Sequence, residues 1–265
     1  MGWRATSTGR AFGERRERRA LARAVRRVGI DAPVHYDEVT ASTNKTALAM
    51  ATRGEPEWTL VVAGHQTEGR GRLGREWLSE PDGSLLFSFI LRPQLAPDRA
   101  LLLTLLAGVS MAEACAAAAG ADVRCKWPND LLLDGRKVGG ILAEAQLRGG
   151  ALQHVVIGIG VNLEGVPVGV EHAVALGYGD GHRLLEEFFR RFRERYHPAG
   201  EAFSNLVLSA YTPRSATLGR TVRASTLDGR TVEGEAVDLD PAGNLVVATS
   251  AGRAAVGFGE VLHLQ

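Results

Sequence analysis

Between Trp58 and Asn162 the chain alternates continuous apolar runs with glycine-marked turns. Trp58-Thr59-Leu60-Val61-Val62-Ala63 reads as a buried strand, because apolar residues follow one another without a polar face. Ser84 to Leu91 (SLLFSFIL) reads as another, introduced by the turn Pro81-Asp82-Gly83. Pro97-Asp98 opens a Leu- and Ala-rich helix from about Arg99 to Ala119, ended by Gly120. Being apolar on nearly all sides, this helix is expected at the centre of the packing. Val123 to Leu133 and Lys137 to Ala145 flank Asp134-Gly135, the dipeptide of a tight hairpin. Gly149-Gly150 then turns the chain into Leu152–Asn162. Five strands with few helices between them predict a mixed or largely antiparallel sheet rather than a doubly wound parallel one. Gly139-Gly140 and Gly158/Gly160 inside strands cost stability, which points to close approach of a backbone or ligand.

The flanks differ in texture. Leu21, Val25 and Val28 recur at helical spacing among seven arginines, predicting a short basic helix from about Glu14 to Val28, with residues 1–10 disordered. Val34–Val39 reads as a strand. Ser42-Thr43-Asn44 precedes a helix and suits capping, but three such residues exceed what one cap needs, leaving hydroxyl and amide groups for a small polar ligand. Leu184 to about Phe203 reads as one amphipathic helix with Leu185, Phe188, Phe189 and Phe192 inward. After Pro213, short strands alternate with turns at Asp228-Gly229 and Pro241–Asn244, the signature of a small β-barrel. The division is therefore a basic extension over 1–30, a main domain over 31–215 and a small barrel over 216–265.

Composition narrows the chemistry. The 265 residues carry a net charge of only +1, so any anion site must be local. Cys115 and Cys125 have neither metal-ligand nor disulfide-framework spacing and suit a reducing cytoplasm. No apolar run is expected to span a membrane, and the N-terminal positive charge is not followed by the apolar stretch of a secretory signal. There is no Gly-x-Ser-x-Gly elbow, Walker loop or His-Glu-x-x-His pair, the histidines are scattered, and Gly158-Ile159-Gly160 lacks the rest of a dinucleotide fingerprint.

What remains is fixed positive charge beside unusual backbone. Gly69-Arg70-Gly71-Arg72-Leu73-Gly74-Arg75, followed by Glu76-Trp77, combines glycines that let a backbone come close to a ligand with guanidinium forks that fit carboxylate or phosphate. Such a loop is expected to order around an anion. Lys126 ends an apolar strand and is held by Trp127-Pro128, poised for a developing negative charge, and Lys137 follows the hairpin turn. This set suits phosphoryl or nucleotidyl transfer, where catalysis is mostly positioning and charge neutralisation. Asn129, Asp130 and Asn162 could help hold a nucleotide or magnesium.

Taken in order, the glycine–arginine loop, Lys126-Trp127-Pro128-Asn129-Asp130, Lys137-Val138-Gly139-Gly140-Ile141-Leu142 and Gly158-Ile159-Gly160-Val161-Asn162 resemble the biotin protein ligase family, in its shorter bacterial form. The resemblance runs from about Tyr36 to the C-terminus. It implies an α+β fold: a central mixed β-sheet flanked by helices, like the catalytic domain of class II aminoacyl-tRNA synthetases, with a small Src-homology-3-like barrel behind it. It implies formation of biotinyl-5′-adenylate from biotin and ATP with magnesium, then transfer of biotin to one lysine of the biotin carboxyl carrier protein of acetyl-CoA carboxylase. By resemblance, Ser42, Thr43, Asn44 and Gln66 line the biotin pocket, the backbone of Gly69, Arg70 and Gly71 closes over it, and Arg70 and Arg72 hold carboxylate and phosphate. Lys126 bridges the reacting groups and forms the catalytic pair with Arg72. Arg75, Trp77, Asn129, Lys137, Gly158 and Asn162 serve the nucleotide, and the loop acts as a lid. Protein ligands for magnesium are not assigned. With some thirty residues before the first strand, specific DNA binding is not expected. The resemblance leaves a homodimer open and assigns nothing to the connector from Glu164 to His182. Two other readings compete: a lipoate-type ligase or acyltransferase on the same fold, and a nucleic-acid-binding module built on the basic segments.

Overall fold

The structure is a computed structural model that describes residues 7–264 apart from 168, 227, 228 and 258, with side chains from residue 13 onward. Seven strands form one sheet: β1 (Val34–Thr40), β2 (Leu60–Gln66), β3 (Ser84–Leu91), β4 (Arg124–Lys126), β5 (Asp130–Leu133), β6 (Arg136–Arg148) and β7 (Ala151–Asn162). Their order is β1-β2-β3-β7-β6-β5-β4. β1 and β2 run parallel and every other neighbouring pair antiparallel, so the sheet is mixed, as expected.

The unbroken apolar runs have a direct cause: the central strands are covered on both faces. Leu60, Val62, Phe87, Phe89, Val155 and Ile157 enter the large core, while the alternate residues Val61, Ile90 and Val156 pack with Ala47 and Ala51 of α2 (Thr43–Thr52) on the opposite face. The large core is built against α1 (Ser7–Arg27), α3 (Leu101–Ala119), α4 (Gly181–Arg195) and α5 (Phe203–Tyr211). Phe188, Phe189 and Phe192 of α4 meet Phe87 and Phe89 of β3 edge-on or tilted at 5.1–5.9 Å between ring centroids. Truncating one such ring costs roughly 3–5 kcal/mol.

Several boundaries differ from expectation. The N-terminal helix already runs from Ser7, where disorder was expected to residue 10; residues 1–6 lie outside the described residues. Its apolar stripe is docked: Leu21, Ala24, Val25 and Val28 are buried, and the arginines face outward. Trp58 precedes β2 with φ 70, so the strand begins at Leu60. The helix expected over 184–203 ends early, at Arg195, and a further helix that was not expected, α5, begins at Phe203. The stretch Pro97–Ala119 is, by length and composition, apolar enough to cross a membrane, contrary to the sequence reading. Here it is the central helix, with fourteen residues of α3 buried against protein.

Beyond α5 the chain forms a second, antiparallel sheet from β8 (Thr221–Thr226), β9 (Thr231–Leu239), β10 (Leu245–Thr249), β11 (Gly252–Val256) and β12 (Gly259–His263), ordered β11-β10-β9-β8-β12. Asp228 of the expected turn lies outside the described residues; the turn at Pro241–Asn244 is present, closed by Asp240 N–H on the Asn244 carbonyl. The joint between the two sheets is not a free linker. Ser215 bridges to Cys125, and Ala216 N–H donates to the Cys125 carbonyl at 2.8 Å, so the connecting segment lies along β4.

Candidate active site

A cleft of about 950 Å³, counting its open mouth, lies over the α2 face of the sheet. The sequence-predicted residues Ser42, Thr43, Asn44, Gln66, Arg70, Gly71, Arg72, Arg75, Trp77, Lys126, Asn129, Lys137 and Gly158 all line it. Two do not. Gly69 is buried beneath the loop: its carbonyl accepts Trp77 N–H at 2.9 Å, and a Cβ there would overlap the Trp77 carbonyl, so it lets the two loop stems meet. Asn162 is also buried and donates to the Val174 carbonyl at 3.2 Å, which ties the end of β7 to the segment that follows it.

One end of the cleft is a polar corner. Ser42 occupies the N-cap position of α2 in extended conformation, yet its side chain makes no capping bond, so capping does not explain the triplet. Gln66 Oε1 accepts from Thr43 N–H (2.7 Å) and lies 3.0 Å from Thr43 Oγ1, which orients the Gln66 amide N–H groups away from that contact. Ser88 Oγ lies 2.7 Å from Thr43 Oγ1 and 2.6 Å from Asn44 Oδ1. The Asn44 amide is oriented by donation to the Leu142 carbonyl and to Glu144 Oε2. One hydroxyl proton cannot serve both neighbours. The arrangement that satisfies every group runs Thr43 hydroxyl to Ser88 and Ser88 hydroxyl to Asn44. This leaves Ser42 Oγ and Gln66 Nε2 as neutral groups for a ligand.

The glycine–arginine loop is a compact turn. Gly71 N–H donates to the Arg75 carbonyl, Arg75 N–H to the Arg72 carbonyl, and Leu73 takes φ 55 at the tip. Each arginine is held by an oxygen elsewhere in the chain: Arg70 by Glu144 Oε1 (3.0 Å), Arg72 by Asn129 Oδ1 (3.2 Å), and Arg75 by the Glu260 carboxylate. Burial lowers the Arg72 pKa, opposed by Asp130 and Glu260, and a guanidinium starting this high remains charged. The hydrogen bond from Arg75 holds the Glu260 carboxyl below its ordinary value, with burial working against it and Arg75, Lys126 and Arg72 adding charge in support.

Lys126 closes β4 and makes no hydrogen bond or ion pair among the described residues. Its neighbour Trp127, in cis linkage to Pro128, is fully buried and fastened to the second sheet at two points. Trp127 N–H donates to Thr217 Oγ1 at 3.0 Å and its indole N–H to the Gly243 carbonyl at 3.0 Å. Thr217 Oγ1 in turn lies 3.1 Å from His263 Nε2. Burial first, then Lys126 and Arg220, push His263 down to about 4, so it is neutral near pH 7. Lys126 is thus an unpaired ammonium on a backbone clamped from both sheets.

The far end of the cleft is an aromatic platform. Trp77 lies on the strand glycines: a Cβ on Gly160 would overlap its indole and one on Gly158 would overlap the Asn44 amide, which explains two of the glycines that cost β6 and β7 stability. The Trp77 indole N–H is buried without an acceptor. Lys137 Nζ sits 5.8 Å above the ring and 2.6 Å from Asp130 Oδ1. Among the described residues no three His, Cys, Asp or Glu groups cluster as metal ligands, and Asp130 and Glu260 are each ion-paired.

Sequence reasoning missed Ser88, Glu144, Glu260 and Thr217. The first two carried a signal, a polar residue inside an apolar strand. The last two carried none: Glu260 reaches the cleft only because β12 (Gly259, Glu260 and Val261) folds over it, and Thr217 meets Trp127 only because the segment before β8 comes back to β4.

Residues 36–162 match the sequence profile of the Biotin/lipoate A/B protein ligase family, and residues 217–264 match that of the Biotin protein ligase C terminal domain. The chain is 35% identical over 240 residues to a biotin–[acetyl-CoA-carboxylase] ligase of Paracoccus denitrificans, covering 84% of this chain and 97% of the relative. It is 36% identical over 231 residues to the bifunctional ligase/repressor BirA of Bacillus subtilis, covering 82% of this chain and 70% of the relative. Among solved structures it is similar to the biotin protein ligase of Aquifex aeolicus in complex with biotin and ATP, with a TM-score of 0.70 and 27% identity over 87% of this chain and 97% of that one.

Proposed function

This chain belongs to the biotin protein ligase family, and from that premise we propose which of its residues carry each half of the reaction and which protein receives the biotin. It is an ATP-dependent biotin ligase. The observation that supports the assignment is the order of groups along one cleft: a neutral polar corner, then the unpaired Lys126 with Arg72, then the Trp77 platform.

The polar corner suits the ureido ring of biotin, an uncharged group with paired donors and acceptors. Ser42 Oγ and Gln66 Nε2 meet it, and the Thr43–Ser88–Asn44 chain keeps them in place. The biotin carboxylate then points toward Lys126 and Arg72. A carboxylate oxygen attacks the α-phosphorus of ATP; the new O–P bond forms as the bond to pyrophosphate breaks. Negative charge builds on the phosphoryl oxygens, and two preorganised cations neutralise it. The Trp77 face receives the adenine, with Lys137 and Arg75 toward the phosphates. Magnesium fits this site as an ion carried by the phosphates of ATP rather than as one caged by protein side chains. In the second half an amine attacks the acyl carbon and AMP leaves. The recipient in this reading is a lysine of a biotin carboxyl carrier domain; the name of the Paracoccus relative gives its substrate as acetyl-CoA carboxylase.

Biotin-dependent exchange of labelled pyrophosphate into ATP is the expected activity. A folded protein that exchanges with lipoate instead, or binds nucleic acid without using ATP, would refute the reading.

A further inference from the structure

A second cavity opens on the opposite face of the sheet, directly behind the cleft. It encloses about 680 Å³ including its mouth, between Leu101 and Thr104 of α3 and Ala143, Ala145 and Val155 of the sheet. It shares Arg72, Pro128, Asn129 and Ile141 with the cleft, so these four residues form the wall between the two cavities. The strand register explains the opening. β5 pairs with β6 no further than Asp130↔Gly140, and from Ile141 to Arg148 the sheet continues on the β7 side of β6. The gap left beside β6 is crossed by the Arg72–Asn129 hydrogen bond, and Asn129 is itself tied to Ile141 through both its backbone and its amide. Ala143 and Ala145 keep the space behind that bond open.

Resting on the ligase reading, we propose that this cavity is the port through which the acceptor lysine side chain reaches the activated carboxyl carbon, with Arg72 as the gate between port and cleft. Biotin and ATP fill the cleft from its own mouth, so the third reactant needs a separate approach to the carbon between them. The port has the chemistry of a lysine stem: apolar walls for four methylenes, and a polar end at the reacting centre. Desolvation along those walls and the positive charge of Arg72 both favour the neutral amine, the form that attacks. Its nitrogen forms a bond to the acyl carbon, the carbon–oxygen bond to phosphate breaks, AMP leaves with the electron pair, and the nitrogen releases one proton to water.

The test is Ala143→Phe in the full chain, with Ala145→Leu at the exposed mouth as a milder variant and thermal unfolding to confirm folding of both. Three rates are measured: biotin-dependent ATP–pyrophosphate exchange, transfer to a folded carrier domain, and transfer to hydroxylamine, which has no stem to house. Expected are exchange and hydroxylamine capture within about twofold of the parent, and carrier transfer reduced roughly tenfold or more for one or both variants, each tenfold being about 1.4 kcal/mol in the barrier. Unchanged carrier transfer in folded variants would overturn the port. So would a raised KM for biotin with slowed exchange, since the cavity would then house part of biotin. Absence of exchange in the parent chain would instead overturn the ligase reading.

Discussion

Two segments close on the same cleft and are held there by different forces. The Gly69–Arg75 loop stands on side-chain tethers: Arg70 to Glu144, Arg72 to Asn129 and Arg75 to Glu260, with Leu73 at its tip 55% exposed. The Lys126–Asn129 turn stands on buried packing: Trp127 is 1% exposed and fastened to the second sheet through Thr217 and Gly243. Two of the loop's partners are carboxylates and the third is an amide oxygen. They present to the arginines what a substrate carboxylate or phosphate would present, so each tether can be exchanged for a ligand contact at little net cost. The turn has no such exchange available; moving it means separating Trp127 from its core. The contrast assigns gating to the loop, whose Arg72 also brings the second cation to the reaction, and the fixed charge of Lys126 to the turn.

The largest expected effect comes from the turn. Lys126→Ala should lower adenylate formation by about a thousandfold, the scale of losing a principal charge-stabilising donor, while thermal unfolding stays unchanged because Lys126 has no partner to lose. Near-normal pyrophosphate exchange would remove its bridging role. Next is the loop. Arg72→Ala should leave adenylation measurable but let biotinyl-adenylate escape, read as biotin attached to a bystander protein, with a loss of a few kcal/mol in retention. Tight retention would contradict the gate.

A smaller effect tests whether the clamp acts through Lys126. Thr217→Val removes the acceptor of Trp127 N–H, and kcat for exchange should fall about tenfold, the cost of one buried hydrogen bond, with KM for biotin unchanged; Thr217→Ser should restore it. Equal changes in both parameters would mean general loosening instead. Glu260→Gln should be milder still. It frees Arg75 from an ion pair that is partly exposed, worth about 1 kcal/mol or less, so KM for ATP should shift by less than about tenfold. The last expectation concerns pH. His263 is held near 4 in the folded protein, and an unfolded histidine titrates near 6.5. Between those values the unfolded chain takes up a proton that the folded chain refuses, so stability should fall as pH drops from 6.5 toward 4. His263→Gln should flatten that part of the unfolding curve against pH; an identical slope would remove the histidine from the clamp.

The site was legible wherever chemistry is local. A glycine beside an arginine, a lysine before Trp-Pro, or three cap-type residues in succession announce themselves without a fold, because backbone freedom and side-chain charge belong to the residue. Thirteen of the proposed contacts line one cleft for that reason. Asn162 and Gly69 show what residue type alone leaves out: each stands in a real motif, but its burial and its contacts come only from the fold. The docking of α1 and the early end of α4 with a separate α5 after it were likewise out of reach, since both depend on what covers an apolar stripe rather than on the stripe itself.

By itself the sequence determined the strands and their turns, the mixed sheet, the small C-terminal β unit, the cationic loop and the lysine that the reaction needs. These follow from periodicity, turn chemistry and fixed charge, which operate over a few residues. Only the tertiary structure decided that Glu144, Asn129 and Glu260 hold the loop's arginines, that Thr217 and Gly243 fasten the Lys126 turn, and that β5 stops short of Ile141 and opens a second way to Arg72. Each of those contacts joins residues tens to more than a hundred positions apart, and the free energy that selects them comes from burying both sheets together, which no local stretch encodes.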